Sequence, residues 1–298
     1  MAEPVPQHDG LVIAEIASLK ELAEYQEVEC YAWGLDSVQE SVPGHVTLTH
    51  QRYGGLLLGA REPEGRMVGM LLGFPGLKAG RLIHCSHMLG VVPDWRGRDV
   101  GYRMKLWQRQ WATAQGLDLV VWTYDPLETR NARLNLSRLG GICREYHPNL
   151  YGVMNDGLNQ GMESDRLVIE WHILHPAVAA RLAGETRSPN PLTLLADGVP
   201  LLTRTVEHPS PEGGAPLRYL ADTHAQTGAT LLIEAPTRFQ SIKQADLGAA
   251  HAWRMGLRTL MMPLFAQGYA ALDILYDAAA NRCYYLLGPM NEYLSRSN

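Results

Sequence analysis

The segment Val91–Tyr102, VVPDWRGRDVGY, carries an apolar strand end through a Pro-Asp turn and two arginines into glycine-spaced residues that open a helix. A glycine-bearing loop between a strand and a helix points several unpaired backbone N–H groups at one spot, with the positive end of the helix dipole behind them. Such a spot holds phosphate. Arg96 and Arg98 would add positive charge, and the carboxylate of Asp99 would oppose it. Two common phosphate loops are excluded. The chain has no G-x-x-x-x-G-K-[ST], and no full G-x-G-x-x-G followed by an acidic residue about 20 positions on. Farther along, Arg254 and Arg258 stand i, i+4 with His251 one turn earlier, forming a cationic ridge on one helix face. A ridge of this kind could bind a carboxylate, whether that of a substrate or one elsewhere in the chain, or could simply be solvated.

The elements that must position these residues follow from hydrophobic spacing. Leu11 to Ala17 is a short apolar segment, and Ser18 is a plausible N-cap for a helix over Leu19 to Trp33. Gly55 to Ala60 and Met67 to Gly73 are apolar runs separated by REPEGR and predict a hairpin. Leu82 to Val92 is a strand leading into the loop. Val100, Met104, Trp107, Trp111 and Ala114 then form an apolar helical stripe, with Arg103, Lys105, Gln108 and Arg109 off it. Leu119 to Thr123 reads as a buried strand ended by Asp125-Pro126. Ala132, Leu136 and Leu139 mark a short helix closed by Gly140-Gly141, and strands follow near Ile142 to Tyr146 and Arg166 to His172. After His175-Pro176 the sequence becomes punctuated by proline and glycine, then gives a strand at Leu231 to Glu234, a helix over Gln240 to Gln267 and a closing strand pair. The expected class is α/β with a mixed sheet. Residues 1–175 form the first domain and 176–298 a smaller α+β domain.

Composition narrows the function. The 26 Lys and Arg against 31 Asp and Glu, a net charge of −5, leave no basic footprint for nucleic acid. No window approaches the roughly 18 uninterrupted apolar residues of a membrane span, and the first residues carry no leader pattern, so a cytoplasmic location is expected. Cys30, Cys85, Cys143 and Cys283 are far apart and form no C-x-x-C pair, which argues against a metal site. Symmetric pairing is common enough for a homodimer to be expected.

The loop and its surroundings resemble the GCN5-related N-acetyltransferase (GNAT) superfamily. Leu89, Val91 and Pro93 match its L-A-V-x-P strand end. Arg96 and Gly101 match the first and last residues of its [QR]-x-x-G-x-[GA] acyl-CoA loop, and Asp99 stands where the first glycine is expected. The segment Asp125–Gly141, with R-N-A-R-L-N and L-G-G, resembles the superfamily's asparagine-containing helix. Together with W-R-M-G-L-R at Trp253–Arg258, it resembles a longer group with a C-terminal extension, some members of which are associated with N-succinylation of amino acids. The resemblance implies a splayed sheet that admits acetyl-CoA or succinyl-CoA as co-substrate without metal, and an acyl transfer to the amine of a small molecule, an amino acid in the narrower reading. Protein amines are a further class of acceptor. It places pantetheine against Leu89 and Val91, and pyrophosphate against the backbone of Arg98, Asp99, Val100, Gly101 and Tyr102, with Arg96 and Gly97 completing the loop. A base near neutrality is needed to deprotonate the amine. His84 and His87, an odd number apart, face opposite sides of the strand, and His87 shares a face with Leu89 and Val91, which favours it as that base. The tyrosine that usually protonates the thiolate falls at Leu136. Asn135 or Asn131 is left to contact the cofactor or its sulfur, with Tyr124 and Tyr146 as reserve acids and Arg254 and Arg258 as candidate substrate ligands. A catalytically degraded CoA-binding module with a regulatory role is the competing expectation.

Overall fold

The computed structural model describes residues 10–154, 157, 159–211, 213 and 215–290. Its contacts divide the chain into two compact units, the first closing at Trp122 and the second beginning at Thr123. The composition change at residue 176 lies inside the second unit.

In the first unit, β1 (Val12–Glu15), β2 (Leu56–Arg61), β3 (Met67–Lys78), β4 (Arg81–Val91) and β5 (Leu119–Tyr124, up to Trp122) stand in sequence order. The first four pair antiparallel, and β4 pairs parallel with β5, so the sheet is mixed. α1 (Leu19–Trp33) begins at the expected Ser18, whose hydroxyl accepts from the Glu21 N–H, and ends at Gly34 in a left-handed conformation. α2 (Gly44–Arg52) has no counterpart in the sequence reading, because Thr47 is its one buried residue and it shows no apolar stripe. α3 (Val100–Ala114) follows the phosphate-loop candidate as expected. A Cβ built on Gly90 would meet Ala32 and Trp33 of α1, whereas one on Gly69 would meet Val100 and Met104 of α3. Helices therefore cover both faces of this sheet. The core joins Tyr25, Val28, Leu57, Leu71, Met104 and Trp107, among others.

The second unit starts with the end of β5 and with α4 (Thr129–Ala132), which runs into a π-helical turn, Arg133–Arg138. β6 (Ile142–His147) and β7 (Arg166–His172) come next. α5 (Pro176–Leu182), α6 (Pro191–Ala196) and the hairpin β8 (Thr203–His208) and β9 (Leu217–Thr223) lead to β10 (Leu231–Ala235). α7 (Phe239–Ala245), α8 (Leu247–Ala266), β11 (Tyr269–Asp277) and β12 (Arg282–Pro289) complete it, in the sheet order β7-β6-β11-β12-β10. The single helix expected over Gln240–Gln267 breaks at Asp246. That residue is extended (φ −155°), and its carboxylate accepts from the Ala249 N–H to cap α8. The prolines read as punctuation at residues 176 and 191 instead occupy the first turns of α5 and α6, where a missing N–H costs nothing. Among the described residues no helix is long and apolar enough to cross a membrane.

Candidate active site

β4 leaves the sheet at Val91 and turns through a 3-10 segment, Pro93–Trp95, into the loop. Gly97 takes φ +82° with open space where a Cβ would stand. Asp99 takes φ +60°, a left-handed conformation that aspartate tolerates better than most residues, and it makes no side-chain cap to the first turn of α3. The first backbone bond into the helix is donated by Arg103 N–H to the Asp99 carbonyl at 3.0 Å, so the N–H groups of Val100 and Gly101 lie ahead of the ladder. The leading N–H groups of α3 and its dipole lie at the end of this loop, and a left-handed aspartate stands where the resemblance expects a glycine.

The side chains around the loop are less favourable to an anion. Arg96 donates to the carbonyls of Val91 (3.1 Å) and Ala32 (3.0 Å), so it clasps the end of β4 to α1. Arg98 lies over the Trp95 ring, and the Trp95 indole donates to Glu62. Arg66 is held between Glu62 and Asp94. An open depression of about 910 Å³ beside the loop is lined by Glu62, Glu64, Asp94 and Asp99 against Arg66 and Arg98. Carboxylates outnumber guanidiniums there.

Upstream of the loop, the parallel register of β4 with β5 comprises His84 with Val120 and Cys85 with Val121. β4 also carries a bulge. Leu72 of β3 faces Met88 and Gly73 faces Ser86, which leaves His87 as the extra residue. The bulge shifts the phase of side-chain alternation, so one expectation is corrected. Leu89 and Val91, paired with Leu71 and Gly69, share the α3 face with His84 and Ser86, whereas His87 lies on the other face. His87 and His84 do face opposite sides. The His87 ring is exposed and sits 5.6 Å from Phe74, itself 4.9 Å from the ring of His50 on α2. Desolvation on its inner side and, second, the neighbouring His50 hold its pKa below the ordinary histidine value. A neutral imidazole at an exposed bulge is chemically able to take a proton.

On the α3 face two of the residues expected to lie off the apolar stripe, Lys105 and Gln108, are buried. The Lys105 ammonium donates to the Ser86 hydroxyl (2.7 Å) and the Gln108 side-chain oxygen (3.3 Å) and stands 3.6 Å from the centroid of the Trp122 ring. Burial pulls its pKa well below the ordinary lysine value. The Gln108 amide nitrogen meets His84 Nε2 at 2.9 Å. Burial first, and Lys105 second, lower the His84 pKa to about 3, so this histidine is a neutral structural group.

In the second unit, Asn131 is exposed on α4 and Asn135 is buried within the π-helical turn. Leu136 is fully buried. Tyr124 hydrogen-bonds the Tyr285 hydroxyl, and burial raises its pKa well above that of a free phenol. The Tyr146 hydroxyl donates to Asp165 at 2.6 Å and is raised by burial too, so neither tyrosine is a ready acid. Of the readings open for the cationic ridge, the structure shows internal ion pairs. Arg254, 1% exposed, makes a two-pronged pair with Asp125 (2.7 and 2.6 Å), and Arg258 pairs with Asp165 and Glu163. The carboxylates these arginines meet are the chain's own. Lys105 and Asp165 were missed in the sequence; the first stood one position off an apolar stripe, and nothing local marked the second.

No protein-family model and no curated protein matches the sequence. Solved structures do match. The ribosomal-protein-S18-alanine N-acetyltransferase of Escherichia coli is 13% identical, with 55% of this chain and 94% of that chain covered at a TM-score of 0.43. NAA60 of Arabidopsis thaliana, solved with a bisubstrate analogue, is 12% identical over 54% and 97% at 0.43. The NatC complex bound to Gag peptide and CoA is 13% identical over 54% and 98% at 0.44.

Proposed function

We propose that this chain is a GNAT-type N-acyltransferase that moves an acyl group from an acyl-CoA to the amine of a small molecule, an amino acid in the narrower reading, with acetyl-CoA or succinyl-CoA as donor. The observation that carries the reading is the β4–loop–α3 unit. A bulged strand shares two register positions with its parallel neighbour and then delivers the chain to a helix N-terminus through a loop with left-handed residues at Gly97 and Asp99. Open space at Gly97 and the leading N–H groups of Val100 and Gly101 fit a pyrophosphate. In the direct reaction the amine nitrogen attacks the thioester carbonyl, the C–S bond breaks, and His87 accepts the amine proton. The thiolate takes its proton from solvent, since Leu136 stands at the position where the resemblance places an acid. Thiol release from acetyl-CoA and succinyl-CoA, each mixed with a panel of amino acids in both enantiomers, tests the reading. Release dependent on one amine supports it, and no release from any pair counts against it.

The acidic lining and the left-handed Asp99 favour a second reading, a CoA-binding module without turnover. Turnover separates the two, since a module binds CoA yet releases no thiol from any acyl-CoA and amine mixture, while Asp99→Gly tests what the aspartate does in the loop. As an enzyme that tolerates a discordant residue, the variant should bind CoA about threefold to tenfold more tightly by calorimetry, since one repulsive charge is gone and glycine accepts the same dihedrals. Weaker binding would mean that the carboxylate orders the loop, as a dedicated binding module would require.

A further inference from the structure

Where β4 and β5 part, the backbone ladder is replaced by a side chain. The shared register ends at Cys85 with Val121, and the next step along both strands is Ser86 and Trp122. These are the two residues that Lys105 touches, by a hydrogen bond of 2.7 Å to the Ser86 hydroxyl and by its ammonium 3.6 Å from the centre of the Trp122 ring. We propose that Lys105 is a positioning residue, a buried strut from α3 that joins β4 to β5 at the first step past their last shared register position and fixes how far the strands part.

Three observations support a strut over a chance burial. Lys105 is 2% exposed on a helix whose other buried positions are supplied largely by apolar side chains, and the groups around its side-chain nitrogen are Ser86, Gln108 and Trp122, none of them acidic. Those partners are two hydrogen-bond acceptors and one aromatic face, gathered from β4, α3 and β5 around a single nitrogen. The Gln108 oxygen that accepts from Lys105 also fixes the orientation of that amide, which turns its nitrogen to His84 Nε2, one position before the last paired step. His84 in turn occupies the space above Gly73, the β3 residue at the bulge; a Cβ there would lie 2.3 Å from His84 Nε2. The cluster therefore runs from β5 through α3 to the side of β4 opposite His87. A methionine-sized apolar chain would fill the volume without joining the strands, so packing alone does not account for lysine.

This assignment deepens the acyltransferase reading and rests on it for its catalytic consequence, but its structural core can be measured without turnover. Hydrogen exchange of the whole protein should show amides of Ser86–Leu89 and Trp122 exchanging at least tenfold faster in Lys105→Met than in the parent, with the thermal midpoint held within a few degrees. Lys105→Arg should restore part of the protection. If Lys105→Met falls in midpoint, the comparison moves to Ser86→Ala, which removes the β4 arm and leaves the core filled. Faster exchange at the same amides in Ser86→Ala supports the strut. Unchanged exchange at these amides in a folded variant overturns it, whether or not the protein transfers acyl groups. With an active pair in hand, kcat/KM for the acyl donor should fall about tenfold in Lys105→Met, while the Kd of adenosine 3′,5′-bisphosphate, which reaches only the phosphate loop, stays within twofold. Equal losses in both would assign Lys105 to the loop and overturn the proposal.

Discussion

His87 owes its place to one extra residue in β4. Without the bulge it would sit in the regular ladder; with it, the imidazole is exposed beside Phe74 and held below the ordinary histidine pKa by desolvation and by His50. A base with a lowered pKa stays deprotonated further into acid, so the acid limb of kcat/KM for the proposed transfer should fall below about pH 6.5. His87→Ala is expected to lower kcat about a hundredfold or more, with the KM for acyl donor within twofold, in a steady-state thiol-release assay. Unchanged turnover removes His87 from the mechanism. His84, the other histidine of the strand, has the opposite task. Its folded pKa of about 3 lies below the ordinary value of 6.5, so the unfolded chain binds its proton more readily. The stability that His84 contributes is complete above pH 6.5 and is lost as pH falls toward 3. Urea unfolding of the parent and of His84→Gln at pH 7 and pH 5 should differ by about 2 kcal/mol in their pH-dependent loss, the parent losing more. Equal losses would show that another group titrates. Both histidines were legible as candidates from residue type and odd spacing; which shared a face with Leu89 and Val91 was not, because a bulge leaves no mark in a single sequence.

Among the elements, strong periodicity and cap chemistry were readable and accommodation between elements was not. The stripe from Val100 to Trp111 and the Ser18 cap produced α3 and α1 where expected. Asp246 was read as part of one helix because the apolar spacing continues across it, yet a carboxylate able to cap Ala249 started a new one. The π-helical turn at Arg133–Arg138 was likewise hidden, since its extra residue per turn keeps Leu136 and Leu139 buried as an α-helix would. Gly73 shows what accommodation demands. It pairs with Ser86 across the bulge, and the imidazole of His84 fills the place of its missing side chain, with the Trp111 ring 5.1 Å beyond. Gly73→Ala should therefore cost about 1–3 kcal/mol by overpacking, read from denaturant midpoints. His84→Ala in the same chain should recover part of that loss, because the clashing ring is gone. Strictly additive losses would mean that the Cβ meets the Cys85 carbonyl at 3.1 Å as its main obstacle and that the imidazole yields freely.

Within the second unit, two long-range ion pairs span residue 176, where the composition changes. Arg254 reaches Asp125 and Arg258 reaches Asp165, joining α8 to the end of β5 and the start of β7, while Arg181 of α5 meets Asp273 of β11. The i, i+4 spacing of the arginines and an internal carboxylate as one possible partner were legible; which carboxylates was not, because they lie 129 and 93 residues away. Arg254 and Asp125 form a buried pair, with Arg166 3.7 Å from the same carboxylate, so removing Arg254 takes away the close two-pronged partner and leaves the charge only the more distant one. Arg254→Met should destabilise the protein by about 3–5 kcal/mol in chemical denaturation. Replacing both partners, Arg254→Met with Asp125→Leu, would test whether the charge or its loss matters, but Asp125 has a second duty. Its Oδ1 also accepts from the Leu127 N–H at 2.8 Å and shapes the turn after β5. Asp125→Asn keeps that acceptor and removes the charge, so Arg254→Met with Asp125→Asn is the informative pair. It should be more stable than Arg254→Met alone, since no buried carboxylate is left with only the distant Arg166 as partner. If the double variant is as unstable as the single one, packing of the guanidinium, and not its charge, is what holds α8 to the turn.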